Sequence, residues 1–298
     1  MKKTAFIFPG QGSQSLGMLN DISLKHDQIK KTYAQASDAL GYDLWTLVQE
    51  GPQERLDQTE FTQPALLAAS VALWRLFKPQ HVAVMAGHSL GEYSALVCAN
   101  SLDFSDAIKL VALRGRLMQK AVPAGEGAMA ALVGLEDGIV RTVCDEASQG
   151  EVLVPANYNA IGQVVIAGTR SAVERGVTLA KEKGAKLAKI LPVSVPSHSP
   201  LMHGAAEMLE EALEKIDIKP PQIPVIHNVD VATHTDPQAI RAALVSQLYA
   251  PVRWVETVQR MVAEGINPVI ECGPGKVLAG LCKRIDKSLE IIDIKDEL

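Results

Sequence analysis

Val82-Ala83-Val84-Met85-Ala86-Gly87-His88-Ser89-Leu90-Gly91-Glu92-Tyr93-Ser94-Ala95-Leu96 is the stretch on which the fold turns. The apolar run Val82 to Ala86 has the length and composition of a buried strand. Glu92 to Asn100 then reads as a buried helix. Between them lies Gly87-His88-Ser89-Leu90-Gly91, a G-x-S-x-G motif in the strand–turn–helix context that gives it meaning. The two glycines permit a sharp turn that lifts the Ser89 side chain clear of the sheet. The helix that follows brings its N-terminal N–H groups beside any oxyanion formed there. Ser89 is therefore the candidate nucleophile, against the plainer alternative of a tight turn with a capping serine.

The same alternation extends outward from this stretch. Thr4 to Phe8 is a second buried strand, ending in Pro9-Gly10-Gln11-Gly12. Pro64 to Phe77 and Asp106 to Lys120 read as helices. Pro268 to Glu271 is a late strand running into Gly273-Pro274-Gly275. Strand–loop–helix repetition points to an α/β fold with a mainly parallel sheet. The middle differs: strand Ala128 to Leu135, helix Asp137 to Ser148, strands Val152 to Tyr158 and Gln163 to Gly168, helix Ser171 to Lys183, strand Lys186 to Val195. That βαββαβ order is the ferredoxin-like pattern. The expected organisation is a large domain from residues 1–123 and 197–298, with residues 124–196 inserted as a small one.

Composition narrows the function. The chain has 298 residues, 47% of them hydrophobic and 21% charged, enough to bury a sizeable core. Its 29 basic and 34 acidic residues leave a formal charge of −5, which argues against a non-specific nucleic-acid binder. Cys98, Cys144, Cys272 and Cys282 form no C-x-x-C pair, so a structural zinc site has no support. They read as free thiols in a reducing compartment. The apolar run after Lys2 and Lys3 stops at Pro9-Gly10, too early for a signal peptide. No run approaches the ~18 apolar residues of a membrane span. Lys295-Asp296-Glu297-Leu298 has the form of an ER-retention address; lacking an entry signal, it is read as coincidence.

Two other glycine clusters carry less. Gly10-Gln11-Gly12-Ser13-Gln14-Ser15 has serine where a dinucleotide fingerprint needs its third glycine, and Gly273-Pro274-Gly275-Lys276 lacks the rest of a phosphate loop. The loop after Phe8 is better used as a second source of oxyanion N–H groups.

A serine nucleophile needs a base. Among seven histidines, His198 is favoured: it follows an apolar strand, and Pro196 and Pro200 stiffen its loop. It also follows Ser89 in the chain, as in α/β-hydrolase-like sites. His88 adjoins Ser89, so the two side chains should diverge. His26, His81 and His234 lie in polar loops, and His203 begins an acidic helix. The alternative for His198 is a turn histidine satisfied by backbone. Asp103, Asp106, Asp137 and Asp145 look like helix starts or surface positions. No triad acid stands out, which leaves a carbonyl as the alternative orienter. On the helix from Asp106, Leu110, Val111, Leu113, Leu117 and Met118 form one apolar stripe, and Arg114 falls within it. A core-facing arginine is costly unless paired. It either binds a carboxylate bidentately or serves a structural ion pair.

Five motifs in order, spanning almost the whole chain, carry a resemblance: Phe8-Pro-Gly-Gln-Gly12, Gly87-His-Ser-Leu-Gly-Glu92, Pro196-Ser-His198, Gln247-Leu-Tyr-Ala-Pro251 and Gly273-Pro-Gly-Lys276. Together they resemble the malonyl-CoA:acyl carrier protein transacylases of bacterial fatty acid synthesis. The resemblance implies an α/β-hydrolase-like domain with a ferredoxin-like insert. It implies an acylated Ser89, His198 as base, and Arg114 on the malonyl carboxylate. Gln11 and Leu90 would supply oxyanion-hole N–H groups, and the Gln247 carbonyl would orient His198. One departure is Ala160-Ile161-Gly162, where relatives often have proline before the glycine. No metal or redox cofactor is expected. The implied partners are malonyl-CoA and holo-acyl carrier protein, with no nucleic acid or membrane, and the implied setting is a cytoplasmic monomer.

Acyl carrier proteins are typically acidic, so basic clusters matter. Residues 276–287 hold Lys276, Lys283, Arg284 and Lys287 against Asp286; residues 181–189 hold four lysines against Glu182. Either steers the partner or is a solvated helix face. Competing functions are a hydrolase using the same serine and histidine, for which Arg114 has no purpose, and a non-enzymatic carrier-docking subunit. Within the transferases, another dicarboxylic acyl group or a malonate-processing complex stays open.

Overall fold

The computed structural model describes residues 3–193 and 195–297. The positions of Met1, Lys2, Ser194 and Leu298, which include the end of the apparent retention address, lie outside the described residues.

Five short apolar runs form a parallel sheet: β1 (Thr4–Phe8), β2 (Val82–Gly87), β7 (Val225–Ile226), β8 (Val269–Glu271) and β9 (Ile291–Asp293), in the order β7-β2-β1-β8-β9. Four others, β3 (Gly127–Val133), β4 (Leu153–Ala160), β5 (Gln163–Thr169) and β6 (Leu187–Ile190), form an antiparallel sheet in the order β4-β5-β3-β6. That order, with helices Asp137–Ser148 and Arg170–Glu182 between its strands, is the ferredoxin-like arrangement.

Each face of the antiparallel sheet has a separate job, set by the period-two alternation of strand side chains. Ala128, Ala130 and Leu132 of β3, with Val164 and Ile166 of β5, pack on Val140, Val143 and Val173 of the two helices. The intervening Met129, Val165 and Ala167 face the other way with Leu191 and Val193. That second face roofs a cavity whose floor is the loop ends of the parallel sheet. We propose residues 124–196 as the inserted unit and 1–123 with 197–298 as the larger one. Limited proteolysis should cut first near Pro123–Gly125 or after Leu191; cutting within either sheet instead would refute those limits.

The sequence-based strand Lys186 to Val195 is shorter in the structure, ending at Ile190. Pro192 has no N–H to offer a ladder, so the chain leaves the sheet edge there. The helix expected from Pro64 begins at Thr59 instead. Thr59, Thr62 and Gln63 are buried, and that burial carries the turn before the proline. The helix after Ser89 starts at Leu90 rather than Glu92.

Helices Thr59–Phe77 and Phe104–Lys120 pack closely beneath the cavity. Asp103 caps the second by accepting from Ser105 N and Asp106 N at 2.8 and 3.1 Å. Gly115 is the point of closest approach: a Cβ there would lie 2.6 Å from Glu60 Cα. The absent side chain lets the helices meet and presents the neighbouring Arg114 to Gln63.

All four cysteines are free and buried. Among the described residues no helix is long and apolar enough to cross a membrane.

Candidate active site

β1 and β2 are adjacent, and the loops after their carboxyl ends converge, the usual place for a ligand in a parallel sheet. Ser89 sits at the turn from β2 into helix Leu90–Cys98 with φ 52° and ψ −108°, an unfavourable backbone for a residue with a Cβ. The flanking glycines make the turn possible. A Cβ on Gly91 would stand 2.0 Å from the Phe8 carbonyl oxygen, and one on Gly87 1.9 Å from the Gly91 carbonyl carbon. The strain is held by Asn228. Its Oδ1 accepts from Ser89 N at 2.8 Å and its Nδ2 donates to Gly87 O at 2.7 Å.

His198, 2% exposed, arrives from the loop beyond β6, also at positive φ (59°). Its Nδ1 lies 2.6 Å from the Gln247 carbonyl oxygen and its Nε2 2.9 Å from Ser89 Oγ. A carbonyl only accepts, so Nδ1 carries the proton and Nε2 offers its lone pair to the Ser89 hydroxyl. Burial, reinforced by the positive charge of Arg114, pushes His198 down to about 3. The ring is therefore neutral at physiological pH, the form a general base requires. A backbone carbonyl holds the ring, and among the described residues no carboxylate fills the third position.

Arg114 is 1% exposed, while Arg116, two residues on, faces solvent. Arg114 Nη1 donates to Gln63 Oε1 at 2.9 Å; Nη2 donates to Gln247 Oε1 at 3.0 Å and to Ser89 Oγ at 3.2 Å. The guanidinium carbon stands 5.4 Å from the centre of the Tyr93 ring. Every one of these partners is neutral. Among the described residues no carboxylate forms a salt bridge with Arg114, and its Nε has no hydrogen-bond partner. Burial lowers its pKa, yet an arginine keeps its proton. The site thus holds a buried cation without an anion in contact, an expensive state that a bound carboxylate would relieve.

The cavity has a volume of about 200 Å³. Its polar end is Ser89, His198, Arg114 and Gln63; Met129, Val165 and Leu191 give it an apolar wall. Gln11 lines it from the loop after β1, and that loop presses on the elbow at Gly10, where a Cβ would be 2.5 Å from His88 O. The Leu90 N–H, at the first turn of its helix, has no acceptor one turn back. Gln11 N makes no backbone hydrogen bond among the described residues.

The acyl transferase domain model matches residues 5–295. The chain belongs to the acyl transferase domain family. A malonyl CoA-acyl carrier protein transacylase from Haemophilus influenzae is 58% identical over 300 residues, covering 99% of this chain and 96% of that protein. The solved malonyl CoA-acyl carrier protein transacylase of Coxiella burnetii matches with a TM-score of 0.97 at 54% identity, over 98% of this chain and 94% of the other. A malonyl-transacylase solved in complex with a holo type II PKS acyl-carrier protein matches at 0.97 and 53% identity, over 98% of this chain and 95% of that one.

Within this acyl transferase domain the structure brings Ser89, His198, Arg114, Gln247, Gln11 and Leu90 to one place. Four further residues escaped the sequence: Gln63, Asn228, Glu92 and Asn159. Glu92 stands in the sequence only as the last residue of the Gly87–Glu92 motif, with no role attached to it. Four of the other histidines are engaged elsewhere. His88 diverges from Ser89, with Nε2 2.7 Å from Asn159 Oδ1. His203 stacks on Tyr249, His234 contacts Asp230 at 2.6 Å, and His227 is buried against Glu92. Of the first basic cluster, Lys276 meets Asp293 at 3.1 Å, Lys283 donates to Leu289 O, and Arg284 donates to Gln163 Oε1 at 2.5 Å.

Proposed function

We propose that this acyl transferase moves a malonyl group from malonyl-CoA to the phosphopantetheine thiol of an acyl carrier protein, by a ping-pong route through a malonyl ester on Ser89, supplying fatty acid chain elongation. One observation carries the choice of acyl group: the buried Arg114 beside the nucleophile, with no carboxylate in contact among the described residues. A neutral acyl group would leave that cation unpaired, whereas a malonyl carboxylate accepts two of its N–H bonds.

His198 Nε2 takes the Ser89 proton as Oγ attacks the thioester carbonyl. The developing oxyanion is met by the N–H groups of Leu90 and Gln11. Collapse expels the CoA sulfur, which takes the proton back from His198, and the malonyl ester remains. In the second half the carrier thiol gives its proton to His198 and attacks the ester, and Ser89 Oγ leaves with that proton. Thioester exchange is near balance in energy, so these steps call for no metal or redox cofactor.

The carrier is the acceptor by similarity to relatives named for it, one of them solved with its carrier protein. Lys276, Lys283 and Arg284 are exposed and form a basic surface for an acidic partner. Charge reversal at Lys283 and Arg284 should weaken transfer and its salt dependence; unchanged kinetics would remove that surface from the proposal. A monomer in the cytoplasm completes the proposal. Sedimentation and cell fractionation test it, and a stable oligomer or a membrane-bound pool would refute those two points.

The test is a time course with labelled malonyl-CoA and acetyl-CoA, each with and without holo-carrier. Malonyl label should reach the carrier with little free malonate. Free acid released at the same rate without carrier would mean a hydrolase.

A further inference from the structure

Three residues beyond the nucleophile, the first turn of helix Leu90–Cys98 carries a carboxylate with no exposed surface: Glu92. It makes three contacts. Oε1 lies 2.7 Å from His227 Nδ1; Oε2 accepts from Asn228 N and from Gln247 Nε2, each at 2.9 Å. Burying a carboxylate is costly unless donors surround it, and all three groups are donors. Burial opposes the charge of His227, but the attraction and hydrogen bond of Glu92, together with the charge of Asp230, outweigh it and raise its pKa.

The contact with Gln247 has a consequence for the cation. An ionised carboxylate only accepts, so the Gln247 amide must turn its NH₂ toward Glu92. The same NH₂ donates to the Ser89 carbonyl at 3.0 Å, another acceptor. The amide oxygen is thereby forced to the opposite side, where it accepts from Arg114 Nη2 at 3.0 Å. Reversed, the amide would aim its NH₂ at the guanidinium, two donors facing each other.

We propose that Glu92, held by His227, is a positioning residue that fixes the orientation of the Gln247 amide and so aims Arg114, giving the site its preference for acyl groups bearing a carboxylate. The proposal rests on Arg114 as the carboxylate grip argued above.

Glu92→Gln is the direct probe. The amide introduced there both donates and accepts, so it no longer enforces the orientation of Gln247, which then rests on the Ser89 carbonyl and on Arg114 itself. Acylation should be measured as kcat/KM with malonyl-CoA and with acetyl-CoA. In E92Q the malonyl-to-acetyl ratio should fall about tenfold or more, the scale of one misdirected charge-assisted bond. Glu92→Asp keeps an acceptor-only group and should hold the ratio within about threefold of wild type. If E92Q alone does not fold, E92Q/H227N removes both charges of the buried pair, a change better tolerated than breaking it. It should show the same loss of ratio. An equal fall with both substrates, leaving the ratio unchanged, would overturn the proposal and leave Glu92 a structural residue. Wild-type enzyme run alongside separates the two ideas. If it acylates equally with both thioesters, the malonyl assignment itself is wrong.

Discussion

Arg114 Nη2 lies 3.2 Å from Ser89 Oγ, so the nucleophile and a buried cation share one small volume. In malonyl thioesters the attacked carbonyl carbon and the carboxylate carbon are separated by two bonds of about 1.5 Å each. A cation this close to Oγ matches a short dicarboxylic acyl group. It has nothing to bind in an acetyl group.

Replacing Arg114 should therefore reorder substrates more than it slows chemistry. For Arg114→Ala, kcat/KM with malonyl-CoA should fall about a hundredfold or more, the scale of losing two charge-assisted bonds. The malonyl-to-acetyl ratio should invert. Initial rates with both thioesters check this; an unchanged malonyl rate would remove Arg114 from the site.

The pH profile follows from His198. Its pKa is pushed down to about 3, so the base stays neutral as pH falls through 6.5. The kcat/KM for Ser89 acylation should show no acid limb between pH 8 and 5. The sign for stability follows from proton counting. Below the ordinary histidine value of about 6.5, the unfolded chain takes up a proton that the folded site refuses. Stability from this group is full above 6.5 and declines as pH drops toward 3. Stopped-flow acylation and urea unfolding across that range measure both. A kinetic limb centred near 6.5 would show that the ring is not desolvated as the structure has it.

Asn228 braces the strained elbow from both sides, through Ser89 N and Gly87 O. Asn228→Leu leaves both groups buried and unpaired, at about 1–3 kcal/mol each. The melting temperature should fall and acylation should slow. Unaltered melting and acylation would mean the elbow holds its shape without that side chain.

Much of this site was legible because its chemistry is local in sequence. Gly87-His88-Ser89-Leu90-Gly91 announces its turn through two glycines that nothing larger can replace. His198 is marked by the prolines around it, and Arg114 by its place within an apolar stripe. The partners that hold these residues were not legible. Gln63 and Asn228 are ordinary amides whose roles arise only when distant segments meet. The two-residue β7 is too short to show a period, yet it is paired beside β2, and Asn228 follows it closely. The end of β6 was misjudged because apolar residues continue past Pro192, and the backbone donor rather than the side chains ends the strand there.

Gly115 provides a test in which packing and intrinsic propensity disagree. In an exposed helix interior, glycine to alanine stabilises by about 1 kcal/mol. Here the new Cβ meets Glu60 Cα at 2.6 Å, so Gly115→Ala should instead destabilise by about 1–3 kcal/mol. It should also weaken malonyl selectivity by shifting Arg114 from Gln63. Denaturant unfolding and the two-substrate ratio give the answer, and a stabilised variant with intact selectivity would contradict the packing.

The central claim is that Ser89 carries the malonyl group and that Arg114 chooses it. Intact-mass measurement after brief mixing with malonyl-CoA or acetyl-CoA tests both halves at once. Wild-type protein should gain one malonyl group, mapped to Ser89 and discharged by holo-carrier, with little acetyl adduct; Ser89→Ala should gain neither. A malonyl adduct elsewhere, or equal malonyl and acetyl loading of the wild-type chain, would contradict it.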